Sequence, residues 1–594
     1  MDLNTVIIVT YFSFLIGIGW VFRNLTQNTS DYFRGGGSML WWMVGASAFM
    51  TQFSAWTFTG AAGKAYVDGL SVAAIFFANA VGFLLNYLYF APKFRQMRVV
   101  TVIEAVRLRF GRHNEQVFAW FNMPTTLISA GIWLNGLAIV TSSIFDFDMN
   151  TTIIATGLVV LVMSVTGGAW AVIASDFMQM VVIMAVTVVC AIVGLTKAGG
   201  IVPIVEQFPN DFVAGSDMNY LSILAVWAVF IFIKQISINN NMLYSYRYLA
   251  AKDSNNARKA ALLACILMTI GPVIWFIPSW FLAGTGVDIA ALHPEWGDKA
   301  ADAAYLTFVE LYMPAGMVGL LIAAMFAATM SSMDSGLNRN AGIFVRNFYE
   351  PILRQGAGEK ELMFVSRIAS TCFGIGIIFV AVFINSLKGV SLFDAMMYVG
   401  ALLAFPMTIP GFLGFFIRKT PDWAGWSTLL VGAAVSYFAG FVVEPYHIEA
   451  LFGLEQELTS REWSELLVAI GLTCHLVITG GYFALTSLFY RGLSEERELA
   501  VSRFFKNIDT PLVNETDTQH KLDNRQRILL GRMIAILGLF VTAMMALPNP
   551  LWGRLVFGAC GAIILVIGFL LFSARDRNLD NPAVVQPVKL KPSA

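Results

Sequence analysis

Long apolar runs alternate with short polar joints along almost the whole chain. Spans fall near 4–22, 40–66, 70–92, 117–142, 151–167, 171–195, 222–246, 258–285, 313–338, 364–385, 392–417, 425–445, 464–489, 528–548 and 552–573, about fifteen in all. Runs of this length and apolarity cross a bilayer as helices, so the pattern predicts an all-α, multi-pass membrane protein. Asn4 to Val21 leads straight into Arg23, with no basic segment before it and no small-residue cleavage site after it. It reads as a retained first helix rather than a cleaved leader.

The polar joints carry charge in alternation. The joint 93–116 holds Lys93, Arg95, Arg98, Arg107, Arg109 and Arg112. Arg247, Lys252, Arg258 and Lys259 follow, then Arg346, Arg354 and Lys360, then Arg418 and Lys419. The joints between them are acidic, with Asp211 and Asp217, Asp288, Glu295, Asp298 and Asp302, then Glu449, Glu455 and Glu457. The positive-inside rule places the basic set in the cytoplasm, which puts the N-terminus outside and the C-terminus inside a cell inner (plasma) membrane. That orientation needs an odd number of spans.

The chain divides into an extra first helix (1–36), two five-helix units (37–196 and 197–421), further helices (422–490), a polar segment (491–527), two last helices (528–574) and a cytoplasmic tail (575–594). The polar segment is either an amphipathic helix along the cytoplasmic face or a linker. The tail has the composition of a disordered segment.

Polar groups inside spans point to the chemistry. Met317 to Met333 is uncharged, and then Ser331, Ser332, Asp334 and Ser335 arrive together. Ser331, Asp334 and Ser335 share a helix face, with Ser332 beside them. A carboxylate at this depth costs about 2.5–3.5 kcal/mol to insert, which marks it as functional. Hydroxyl and carboxyl oxygens are hard ligands that suit Na⁺. The bland alternative has the serines back-bonding to their own helix, with Asp334 reaching the surface beside Arg339.

Two spans look broken. Span 40–66 contains Gly45, Thr51, Gln52, Ser54, Thr57, Gly60 and Gly63, and span 222–246 contains Lys234, Gln235, Ser237, Asn239, Asn240 and Asn241. Each opens one five-helix unit, and interrupted helices at matching places of two repeats mark a transporter's binding site. This is the layout of the LeuT-type 5+5 inverted repeat, here with additional N- and C-terminal helices. Plain helix packing by small residues is the alternative.

Composition narrows the classes. The chain has 594 residues, 57% hydrophobic and 13% charged, with formal net charge zero, so a nucleic-acid partner has no electrostatic support. Cys190, Cys265, Cys372, Cys474 and Cys560 sit unpaired in apolar spans and read as packing residues. The five histidines have neither metal nor triad spacing, which argues against an enzyme.

Several motifs, in order, resemble the sodium:solute symporter family, nearest to its bacterial sugar- and sialic acid-transporting members. They are Gly167-Gly168-Ala169-Trp170-Ala171-Val172 with Ser175-Asp176 and Gln179; Arg247-Tyr248-Leu249-Ala250-Ala251-Lys252; Ala327-Ala328-Thr329-Met330-Ser331-Ser332; and Phe504-Phe505-Lys506 with Asp509-Thr510-Pro511. The resemblance implies a sodium site made of the Met50, Phe53 and Ala328 carbonyls with the Ser331 and Ser332 hydroxyls. It also implies a candidate second sodium at Asp176, with Ser331, Asp334 and Ser335. Asp334 stands where the relatives carry a hydroxyl, and proton coupling is the rival reading for the two acids.

The resemblance further implies a solute site at Ser54, Thr57, Asn79, Gln235, Asn239, Asn240 and Asn241. The galactose branch has an acid and an amide where this chain has Trp56 and Thr57. Lys234 needs an anionic partner, either a solute carboxylate or a protein acid such as Asp176. Lys64 either steers an anion or pairs with Asp68. The expected function is sodium-coupled import of a sugar or sugar acid (a uronate, sialate or acidic oligosaccharide). Sodium- or proton-coupled uptake of a monocarboxylate or amino acid is the alternative. A solute sensor is a rival of another class, though the stretch after residue 573 leaves little room for an output domain.

Overall fold

The computed structural model describes residues 28–574 except 146, 166, 167, 388–391 and 515, together with 6–8, 10, 11, 13, 14 and 17. Most of the expected first span, Gly167 of the glycine pair and the tail from 575 lie outside the described residues. Among the described residues the secondary structure is helical, and the only extended pairings are two isolated bridges.

Twelve helices among the described residues are long and apolar enough to cross a membrane. The expected span at 151–167 is a shorter apolar helix, Met149–Ser164. The span at 40–66 is divided, and its last part runs on with the next span as far as Gln96.

The first division has local causes. Helix α1 (Trp41–Met50) ends where the Thr51 hydroxyl back-bonds to the Ala48 carbonyl at 2.7 Å. Ser54 is extended (φ −152°, ψ −178°) and caps α2 (Ala55–Phe58) in a capping box with Thr57. A kink at Thr59 (φ −109°, ψ −92°) starts α3 (Gly60–Asp68). The last carbonyls of α1 therefore lack the i+4 donors of a continuous helix.

Helix α4 (Ala73–Leu85) packs on the second broken element, and α5 (Arg112–Phe145) and α6 (Gly168–Ala198) follow. The second break lies in sequence after α7 (Leu221–Asn239). Asn240 leaves helical geometry, and the Asn241 side chain accepts from Leu243 N at 2.8 Å to start a 3₁₀ turn at Met242–Tyr244. Lys234 was expected in an unwound segment; it lies instead in an intact stretch of α7, because the asparagine run breaks the chain more than a turn later. A Cβ on Gly82 of α4 would meet Asn239 Nδ2 at 2.7 Å, so glycine sets the close approach of α4 to α7.

Helices α8 (Ser254–Trp275), α9 (Met317–Ile343), α10 (Leu392–Tyr398) and α11 (Ser460–Cys474) complete the parts that matter for the site. Helix α9 is buried along nearly its whole length, the position of a central strut. In lipid, helix association rests on close packing and hydrogen bonds rather than on apolar transfer. The chain entering α1 is tied to the segment that follows the second break: Met39 N–H donates to Ala250 O and its carbonyl accepts from Lys252 N, each at 3.0 Å.

The polar segment forms α12 (Glu495–Asp509), with Phe504, Phe505 and Ile508 buried. It packs against the helices Ala91–Gln96 and Val102–Phe110, held by Arg497 to Asp422 at 3.1 Å and Lys93 to Asp509 at 3.0 Å. It is thus a docked amphipathic helix.

Residues 513–594 make a separate compact unit. In it, α13 (Asp517–Ala543) and α14 (Leu551–Ser573) pack closely, with Gly531 opposite Gly568.

Candidate functional site

The polar stretch of α9 meets the first break. Ser332 Oγ donates to the carbonyls of Phe53 at 3.0 Å and Met50 at 3.4 Å. One turn earlier, Thr329 Oγ1 accepts from Ala55 N at 3.1 Å, pinning the start of α2 to α9. Ala328 is fully buried on the same helix. Three hard oxygens therefore converge on one point, and the hydroxyl can turn a lone pair toward a cation.

The other side of this stretch faces α6. Asp176 is fully buried, accepts a hydrogen bond from Ser47 of α1, and lies 3.3 Å from Arg247 Nη2. Ser331 stands close enough to act on that carboxylate, and its hydroxyl is buried without a hydrogen-bond partner. Ser335 donates to the Ser331 carbonyl at 2.5 Å. Asp334 is buried near Tyr32, with Arg367 and Ser370 also about that ring. The two serines thus divide by direction, Ser332 toward α1 and Ser331 toward Asp176, with Asp334 buried on the same helix.

Between the breaks lies a cavity of about 150 Å³. Its wall includes Gln52, Ser54, Asn79, Gln235 and Asn239. Asn239 Nδ2 donates to Asn79 Oδ1 at 2.9 Å, and Gln52 Nε2 donates to Asn239 Oδ1 at 3.3 Å. At one end Trp56 stacks between Phe76 and Phe393, with ring centroids 6.4 and 5.7 Å away, and its Nε1 donates to Leu392 O at 3.2 Å.

Not every expected solute residue reaches this cavity. Thr57 is consumed by the capping box of α2. Asn240 donates to Ile236 O and Gly82 O, and Asn241 caps the 3₁₀ turn, so both shape the break. Lys234 is buried off the cavity wall, with Nζ 3.9 Å from Met397 Sδ. Asp176 pairs with Arg247, so the expected pairing with Lys234 is replaced.

Three wall residues carry roles the sequence reading missed. Gln52 was read only as a mark of the break. Arg247 and Arg339 were read as an exit motif and a surface partner for Asp334. The available signal was spacing: Arg339 lies seven residues after Ser332, on the same helix face.

A polar cavity bounded by two broken helices is the pattern of a secondary transporter's binding site. The sodium:solute symporter family model matches residues 32–432, and the chain belongs to that family. The sodium/glucose cotransporter of Vibrio parahaemolyticus is 27% identical over 445 residues, which is 70% of this chain and 80% of that protein. The sodium/myo-inositol cotransporter 2 of Rattus norvegicus is 26% identical over 465 residues, covering 72% and 68%. A solved structure of a Na⁺-coupled sialic acid symporter, substrate-bound and outward-open, superposes with a TM-score of 0.64 at 22% identity, covering 82% of this chain and 98% of that one. The fold is the LeuT-type inverted repeat with additional helices, and the chain is a multi-pass, sodium-coupled solute symporter.

Proposed function

We propose that one sodium ion is held by the carbonyls of Met50, Phe53 and Ala328 with the hydroxyl of Ser332, while the Ser331 hydroxyl, also expected there, faces Asp176. Its capture drives import of a hydroxyl-bearing solute, a sugar or sugar acid, held among Gln52, Ser54, Asn79, Gln235 and Asn239. The observation that carries this reading is the Ser332 hydroxyl lying within hydrogen-bond reach of both the Met50 and the Phe53 carbonyl. Sodium there ties α9 to the broken helix and so favours one of the two access states. Only such a difference in affinity between states can couple ion to solute. Each sodium that moves inward draws about 2.3 kcal/mol per 100 mV from the membrane potential.

A second sodium at Asp176, with Ser331, Asp334 and Ser335, competes with a resident cation, because Arg247 stands 3.3 Å from that carboxylate. The pairing supports a stoichiometry of one. The basic joints support an orientation with the N-terminus outside and α12 in the cytoplasm.

The test is uptake into proteoliposomes. Ser332→Ala is expected to reduce sodium-stimulated uptake at least 100-fold at equal reconstitution, while Ser332→Thr keeps most of it. Unchanged sodium dependence in Ser332→Ala defeats the assignment.

A further inference from the structure

Ser332, Gly336 and Arg339 all line the cavity. Their spacing of i, i+4 and i+7 puts them on one face of α9, so the cavity follows that helix for about 10 Å beyond the Ser332 level. At its far end two guanidinium groups share one ring: Arg247 and Arg339 each lie 5.0 Å from the centroid of Tyr246. These are the charged side chains among the described residues that line the cavity, and both are cationic.

Arg339 Nη2 donates to Thr126 Oγ1 at 3.0 Å, while its Nε is buried without a partner. Arg247 has the Asp176 carboxylate just behind the wall, and its Nε is likewise buried and unpartnered. One guanidinium is thus neutralised from outside the cavity, and the other has a hydroxyl and an aromatic face in place of a counter-ion. A half-buried guanidinium with no carboxylate partner gains when an anion joins it.

We infer that this end of the cavity is an anion subsite, and that the cargo is a polyhydroxylated monocarboxylate. Its carboxylate sits against Arg339, and its hydroxyls lie among Gln52, Asn79 and Asn239. A guanidinium fork matches a carboxylate in two parallel hydrogen bonds, which an ammonium cannot reproduce. On the cavity wall Arg339 is the charge without a carboxylate partner among the described residues, which sets the class at one negative charge. The inference rests on the symport reading for the identity of the cavity and goes beyond it in fixing the cargo's charge. It also replaces Lys234 with Arg339 as the acid-selecting residue.

The experiment is equilibrium binding to the purified full-length protein in sodium chloride, followed by tryptophan fluorescence. The probes are D-glucuronate and N-acetylneuraminate against glucuronamide and D-glucose. The wild type is expected to bind at least one acid at least tenfold more tightly than the uncharged probes. Arg339→Gln should erase that preference and leave the uncharged probes within twofold, with Arg339→Lys intermediate. Unfolding midpoints of the three proteins show that each is folded. A wild type that binds none of the acids, or an Arg339→Gln that weakens acid and neutral probes alike, overturns the inference.

Proteoliposomes separate the two readings. Sodium-driven accumulation of glucose but of neither acid sinks the anion subsite and leaves symport standing. Arg339-dependent acid binding without sodium-driven uptake of any probe keeps the subsite and sinks the symport reading.

Discussion

Trp56 and the residues above it close one end of the cavity, and Arg247 and Arg339 leave the other end open to a ligand. At the Trp56 end, four buried or half-buried charges pair with one another. Lys64 Nζ lies 2.5 Å from Asp68, Arg461 Nη1 lies 3.0 Å from Asp68, and Arg461 Nε lies 2.9 Å from Glu465. This network joins α3, from the first broken span, to α11, which lies outside the two repeats. At the other end, donors outnumber acceptors. A network of paired charges is a latch, because its members satisfy one another. An end with spare donors is a binding surface, completed by something from outside the protein.

The largest test breaks the latch. Asp68→Asn leaves Lys64 without its ion-pair partner and Arg461 with Glu465 alone. Removing one partner of a buried pair costs about 3–5 kcal/mol. The variant should shift the population toward states open at this end, read as faster thiol labelling of a cysteine introduced at Trp56. Labelling at the wild-type rate would show that the network is decorative.

A smaller effect sharpens the comparison through pH. Asp302, in the segment Pro294–Ala303, is packed against Gly63 of α3, whose Cβ would meet its Oδ1 at 2.6 Å. Burial pushes its carboxyl up to about 7, with Lys299 opposing and Asp394 adding to the shift. Below pH 4 the acid is neutral whether this packing is formed or lost, so it has no effect on stability. As pH rises, the unfolded segment ionises first, and stability falls until the folded acid also ionises near pH 7. Asp302→Asn should therefore raise the unfolding free energy at pH 8 by on the order of a few kcal/mol, with little change at pH 4. A gain of equal size at both pH values would show that ionisation is not the cause.

The smallest effect lies on the surface. Lys93 donates to Asp509, with Arg418 nearby, and together they hold that carboxyl below the usual range. This support is present above the ordinary carboxylate pKa and is lost as pH falls through the lowered one. Asp509 is half exposed, so Lys93→Ala should cost under about 0.5 kcal/mol, because the burial of Phe504 and Phe505 carries the docking of α12. A loss above 2 kcal/mol in urea unfolding would reverse that ranking.

The broken helices were legible because their causes are local: glycines and hydroxyl residues interrupt the first apolar run, and three successive asparagines announce the end of the second. The polar face of α9 was legible from helical spacing. Which neighbour each serine meets was not, since Ser331 and Ser332 are adjacent in sequence yet turned toward different helices. Lys234 misled because a charge inside an apolar run draws attention wherever it lies, and its distance from the cavity depends on how α7 is rotated. Arg339 was hidden because it was read as a surface partner for Asp334, and a charge near a helix end does not reveal where its side chain points.

One rigid rod carries both the hydroxyl that reaches the Met50 and Phe53 carbonyls and the guanidinium at the far wall. Their phase is fixed by seven residues of unbroken helix. Inserting a single residue between them would swing Arg339 by about 100° while leaving Ser332 in place. Metal capture and acid preference would then come apart in one protein, as a key loses one of its two cuts when the shank is twisted between them.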